Sequence, residues 1–199
     1  MVLEALVLAV IAGYLLRGRL QNLAYLTWRW PLLFVIGVIW QRLPFLLVDH
    51  WPVLGAVLPW LYMSSYILLL AAVALNWREP AFRLIGMGLL LNLLVIAANE
   101  GRMPVSPEAV ARAGLPPLPD DPSVYVTSPH TRMDADTRLW FLGDVFPVSI
   151  PYRRPRVISI GDLLLAAGIV WLVVRGMRAG GIGQAVGRVT RQTPGAQTQ

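Results

Sequence analysis

Apolar positions fall in five long runs, and between them the chain turns polar or basic. The runs cover residues 2–16, 30–48, 52–75, 82–98 and 158–174. A helix needs about 20 apolar residues to cross a bilayer, because the hydrocarbon core is about 30 Å thick and each residue rises about 1.5 Å. Backbone groups find no water partner inside lipid, so helices that bond internally are the expected form. The pattern therefore predicts an all-α integral membrane protein with five transmembrane helices. Four helices fill residues 1–98, and the fifth follows a long polar loop at 99–157. The second run is the least regular, since Gln41, Arg42 and Pro44 interrupt it.

Arginine sets the expected orientation. Segments 17–29, 76–83 and 175–199 carry Arg17, Arg19, Arg29, Arg78, Arg83, Arg175, Arg178, Arg188 and Arg191 against the single acid Glu79. Basic loops stay on the cytoplasmic side. The expected topology is N-terminus outside and C-terminus inside, in a bacterial cytoplasmic membrane. In the first run the charge follows the apolar stretch, the reverse of a cleavable secretory signal. Trp28, Trp30, Trp51, Trp60 and Trp77 lie near proposed span ends, where interfacial aromatics collect.

Composition narrows the choice further. Of 199 residues, 56% are hydrophobic and 14% charged, well below the roughly 25% charged of soluble domains. The net charge is +6. Residues 99–159 hold seven arginines and seven acids, so the whole excess lies beside the apolar runs. That distribution reports membrane topology and excludes a nucleic-acid surface. With no cysteine, disulfides and thiolate metal sites are excluded.

Within the loop, Ser106-Pro107-Glu108 reads as N-cap, first-position proline and first-turn acid, and Gly114 as a stop. A short helix is expected over 107–113. Residues 115–129 read as extended or irregular. Leu139 to Phe146 is apolar but too short to span, so it should lie at the interface or fold back. The Gly-rich tail, residues 175–199, reads as cytoplasmic and disordered.

Few residues invite chemistry. Gly88, Asn92 and Asn99 share one face of the fourth helix, where membrane asparagines usually bond across helices. Asn99 opens the segment Asn99-Glu100-Gly101-Arg102-Met103-Pro104, a tight exit turn in which Gly101 and Arg102 are binding candidates. Asp162 stands in the first turn of the last helix, behind Ser159 as a cap. Asp144 lies between apolar residues. If Asp144 and Asp162 meet, one keeps its proton, and the pair can serve as acid and base on a water. Arg153, Arg154 and Arg156 suit lipid phosphates or acidic partners, or are simply a solvated run beside a span. His50 and His130 have no evident third ligand, so no metal is expected, and no cofactor motif is present.

Three segments carry a resemblance: Asn99-Glu-Gly-Arg-Met-Pro-Val, Leu142-Gly-Asp-Val-Phe and Ser159-Ile-Gly-Asp-Leu-Leu-Leu-Ala-Ala-Gly168. With a first helix ending Arg17-Gly-Arg19, they resemble an uncharacterised bacterial family of small polytopic membrane proteins. That resemblance implies a membrane fold and no activity. A fainter resemblance is to lipoprotein signal peptidase, a membrane aspartyl peptidase. It would match Asn99 and Gly101 to that family's Asn-x-Gly segment, and Asp144 and Asp162 to its aspartates, implying catalytic roles for Asp144, Asp162 and Asn99. The pattern departs in three places. Only loop separates Asn99 from Asp144 where the peptidase has two helices. Val145 stands for a Phe, and Ser159-Ile-Gly161 for Asn-x-Ala.

Two functions from different classes follow. The first is a non-enzymatic accessory subunit that docks other membrane proteins through the 99–157 loop. The alternative is an aspartyl hydrolase with an Asp144/Asp162 dyad at the outer membrane boundary. A transporter is disfavoured, because the spans show no inverted repeat.

Overall fold

The computed structural model describes residues 2–26, 28–125, 127–149 and 155–191. The chain is mostly helical. Its helices are α1 (Val2–Leu15), α2 (Pro31–Leu47), α3 (Leu58–Leu75), α4 (Pro80–Ala98), α5 (Pro107–Ala113) and α6 (Ile160–Arg191). Three are long and apolar enough to cross a membrane: Leu58–Leu75, Pro80–Ala98 and the Ile160–Ala179 stretch of α6. Helices α1 and α2 are apolar but shorter, at 14 and 17 residues.

Prolines set several of the boundaries. Pro80 starts α4 two residues before the expected span, since a proline at a helix's first position sacrifices no hydrogen bond. The third span was expected from Pro52. Residues Pro52–Ala56 instead form a 3-10 turn, and α3 begins at Leu58 with Pro59 in its first turn. Pro44 sits inside α2, which continues through it to Leu47.

The two compact units are residues 1–28 with 166–199, and residues 29–165. In the first, α1 packs on the later part of α6. Ala9 and Met177 are fully buried there. The Met177 carbonyl accepts from the Arg19 backbone N–H at 2.9 Å and from the Asn22 amide at 2.6 Å, which fixes the turn after α1 to α6. The expected tail began at residue 175, yet the helix runs to Arg191. No proline occurs between Ile160 and Pro194, so nothing sterically stops it. Residues 192–199 of that expected tail lie outside the described residues.

In the second unit, α2 packs on α3 and α3 on α4. Asn76, at the end of α3, brackets Arg29. Its carbonyl oxygen accepts from the Arg29 N–H at 2.8 Å, and its amide donates to the Arg29 carbonyl at 2.9 Å. Helix α4 meets the start of α6 through glycines. A Cβ on Gly88 would stand 2.5 Å from the Gly161 carbonyl oxygen and 2.9 Å from the Leu165 side chain. Small residues of this kind let membrane helices approach closely.

The segment between α4 and α6 corrects the all-α expectation. It carries four short strands: β1 (Met103–Val105), β2 (His130–Arg132), β3 (Phe146–Val148) and β4 (Arg156–Ile158). β1 and β2 pair in parallel, with Met103 opposite His130, while β3 and β4 pair antiparallel, with Phe146 opposite Ile158. Three residues are too few to show alternation, and Pro104 and Pro147 mask strand character in the sequence. Helix α5 starts at the Ser106 cap, whose hydroxyl accepts from the Ala109 N–H at 3.2 Å, and stops at Gly114, at φ 74°. It packs against β3 and β4.

A valine at Gly88 would push α4 off Gly161 and Leu165. Overpacking of this kind costs about 1–3 kcal/mol. Gly88→Val is expected to lower the melting temperature in detergent by roughly 2–10 °C. An unchanged melting curve would mean that the crossing is not a tight contact.

Candidate functional site

One cluster of polar groups in the second unit lies between α4 and the start of α6. Three side chains there close a directed ring of hydrogen bonds. The Asp162 backbone N–H donates to the Ser159 hydroxyl at 3.0 Å. That hydroxyl donates to the Asn92 carbonyl oxygen at 2.9 Å, and the Asn92 amide donates to Asp162 Oδ1 at 3.0 Å. Ser159 and Asn92 are buried. In such a ring each bond polarises the next. Gly161 makes it possible, because a Cβ there would collide with the Asn92 side chain. Asn92 was read from the sequence as helix-packing glue. It does join two helices, and it also holds the Asp162 carboxylate. The only signal for it was its place with Gly88 on one helix face.

Asp144 reaches the same region from the loop. Its backbone adds to the free side of β1: its N–H donates to the Pro104 carbonyl, and its carbonyl accepts from the Ser106 N–H, both at 2.9 Å. Gly143 precedes it because a Cβ there would run into Met133 and the Pro104 carbonyl. The side chain is buried, and Oδ1 has no hydrogen-bond partner among the described residues. Oδ2 lies 3.8 Å from His130 Nε2, close but beyond hydrogen-bond length.

The electrostatics follow from this placement. Burial, and to a lesser degree the charge of Asp162, pushes the Asp144 carboxyl up to about 8. At neutral pH Asp144 therefore holds its proton. Lost solvent and then the Arg42 charge lower the His130 imidazole, so it is neutral there too. On α3, the Tyr62 and Tyr66 hydroxyls lie 3.3 Å apart. Among the described residues, no group of three or more His, Cys, Asp and Glu could hold a metal ion.

The other sequence candidates have structural duties. Asn99, a catalytic candidate through the peptidase resemblance, ties the loop to α4. Its amide donates to the Val95 and Arg138 carbonyls at 2.7 and 2.8 Å, and its oxygen accepts from the Arg138 N–H at 3.0 Å. Both donors are taken, so no N–H remains for a ligand. Gly101, at φ 78°, packs on Pro59 and closes the α4 C-terminus through its N–H to the Ile96 carbonyl at 2.9 Å. Arg102 donates to the Tyr125 carbonyl at 3.1 Å, and Arg156 sits in β4 opposite Val148. Arg153 and Arg154 lie outside the described residues. The apolar stretch 139–146 forms a 3-10 turn at Trp140–Leu142 and then enters β3, leaving Trp140 and Phe141 exposed.

The chain belongs to DUF5317, a family of unknown function, whose profile matches residues 25–174. A relative described as an uncharacterized protein from Thermotoga maritima is 26% identical over 169 residues, covering 85% of this chain and 88% of the relative. No solved structure matches. The family match includes Asp144, Asp162, Asn92 and His130.

Asp144 gives the site a pH signature. Its folded-state value lies above the unfolded one, so its contribution to stability is whole below about pH 4 and is lost as pH rises towards 8. Within that window the loss approaches roughly 1.4 kcal/mol per pH unit. Asp144→Asn, neutral and of similar shape, is expected to remove that slope. Its melting temperature should exceed that of the wild type increasingly from pH 5 to pH 8. Parallel curves for the two proteins would show that Asp144 is not buried as a protonated acid.

Proposed function

We propose that this DUF5317 member is a five-span protein of the bacterial cytoplasmic membrane, N-terminus out and C-terminus in, and that its outer boundary carries a hydrolytic acid–base pair, Asp144 and Asp162. One observation carries the reading. Asp144 is buried and feels the charge of Asp162, with one carboxyl oxygen unpartnered among the described residues. Buried polar groups are nearly always satisfied, and the exceptions cluster where function requires them. Environments that push two carboxyl groups apart in acidity assign an acid and a base.

Asp162, oriented by Asn92, takes a proton from a water whose oxygen bonds to the substrate carbonyl carbon. Asp144 gives its proton to the leaving group as the old bond to that carbon breaks. The proton gained by Asp162 then returns to Asp144, which restores the pair. Asn92 and Ser159 are positioning residues.

An accessory role, the first expectation from the sequence, is the second reading. A hollow of about 500 Å³ beside α5 favours it, lined among others by Glu108, Arg112, Asp134 and Trp140. Its mixed charges suit a side chain of a partner subunit.

Two measurements test these readings. Cysteines placed at residues 49 and 120 are expected to react with an impermeant thiol reagent in intact cells, and one at residue 78 only after lysis; the opposite pattern would reverse the topology. For activity, purified protein in lipid is assayed against a library of membrane-anchored ester and amide substrates. Asp144→Asn and Asp162→Asn should each remove at least about 10²-fold of any turnover, the usual scale of general acid–base catalysis. Turnover that survives both changes sinks the pair as the catalyst.

A further inference from the structure

The outer segment presents three consecutive apolar side chains to the surroundings. Leu139 is 38% exposed, Trp140 60% and Phe141 53%. The two rings meet edge to face, with centroids 6.0 Å apart. This is not a segment that failed to fold. Leu139 takes the left-handed conformation, φ 51°, which a leucine rarely adopts. It starts the 3-10 turn Trp140–Leu142, whose Leu142 N–H donates to the Leu139 carbonyl at 2.8 Å. The chain thus accepts local strain in a turn that holds two aromatic rings in the open, and strain of this kind persists where the surroundings fix it.

What fixes it is the end of a span. Asn99 caps α4 and binds both backbone groups of Arg138, the residue just before Leu139. Trp140 is therefore only two residues from an anchor on the last turn of α4, within about 7 Å of chain. The exposed face of α4 is itself an apolar stripe, formed by Met87, Leu90 and Leu94, and it leads towards that anchor. With α4 as a span, the turn falls at the helix end, the level of the headgroup region. Aromatic rings are favoured at that level, with the ring among acyl chains and the polar edge in the headgroups. The exposed Arg138 beside them suits a lipid phosphate.

We infer that Leu139–Phe141 is a membrane-interface anchor, inserted among phospholipid headgroups at the outer end of α4, which seats the outer segment on the bilayer. The occupant of this surface is lipid. The inference uses α4 as a span and the Asn99 clamp, and it is independent of any hydrolytic role for Asp144 and Asp162.

The native chain has no cysteine, so a single introduced one can be labelled cleanly. Phe141→Cys carries a nitroxide in full-length protein reconstituted at one copy per phosphatidylcholine–phosphatidylglycerol nanodisc. Asp136→Cys, on the exposed turn of the same segment, is the water reference. Collision with oxygen, which concentrates in lipid, is compared with collision with a water-soluble nickel chelate. The oxygen-to-nickel ratio at 141 is expected to be several-fold above that at 136. Equal ratios would place the turn in water and overturn the anchor. Shielding of 141 from both reagents would show a protein surface over it and would equally overturn lipid as the occupant. Trp140→Cys repeats the measurement should Phe141→Cys fail to elute as a folded species.

Discussion

The close approach of α4 to the first turn of α6 governs the rest of the second unit. Gly88 and Gly161 remove the side chains that would hold the two backbones apart. Only at that separation can Asn92 reach both Ser159 and Asp162. The three bonds then close a ring through Asn92, Ser159 and Asp162. In an apolar setting this matters more than the bonds' net strength, because an unmet donor or acceptor there costs its full desolvation. The crossing thus makes an ionisable residue in the first turn of a candidate span tolerable.

The loop buries a second carboxyl group, Asp144, near enough for the charge of Asp162 to act on it. Two short sheets and α5 give it a rigid frame despite its many prolines. β1 leaves α4 at a tight turn and accepts β2 on one side and Asp144 on the other. The Asn99 clamp ties a point 39 residues further along the chain back to the helix end. Asp144 is consequently not a turn residue in water but a buried acid, with His130 of β2 beside it. Burial, and then the charge of Asp162, raises the Asp144 carboxyl to about 8.

The same clamp links two features that look unrelated. On one side it holds the frame that carries Asp144. On the other it holds the left-handed Leu139 that exposes Trp140 and Phe141. A site at the outer end of the helices and an aromatic turn at lipid level would then be two faces of one segment. A substrate arriving along the bilayer would suit that arrangement.

The amino-acid sequence by itself determined what depends on local composition. Long apolar runs mark α3, α4 and α6, since crossing length and hydropathy are properties of one segment. The Ser106-Pro107-Glu108 start and Gly114 stop of α5 are legible for the same reason: a cap needs only its neighbours. It also drew attention to Asp144 and Asp162 as carboxyl groups in apolar surroundings. The tertiary structure decided everything that needs two distant segments. The strands could not be read, because three residues carry no period and pairing partners lie 27 residues apart in β1 and β2. Asn99 looked like a catalytic amide, and only the fold shows both its donors taken by Val95 and Arg138. Asn92 looked like packing glue, and only the glycine crossing shows it holding a carboxylate. Hydrogen bonds and burial are made between surfaces, and a sequence lists those surfaces without saying which of them meet.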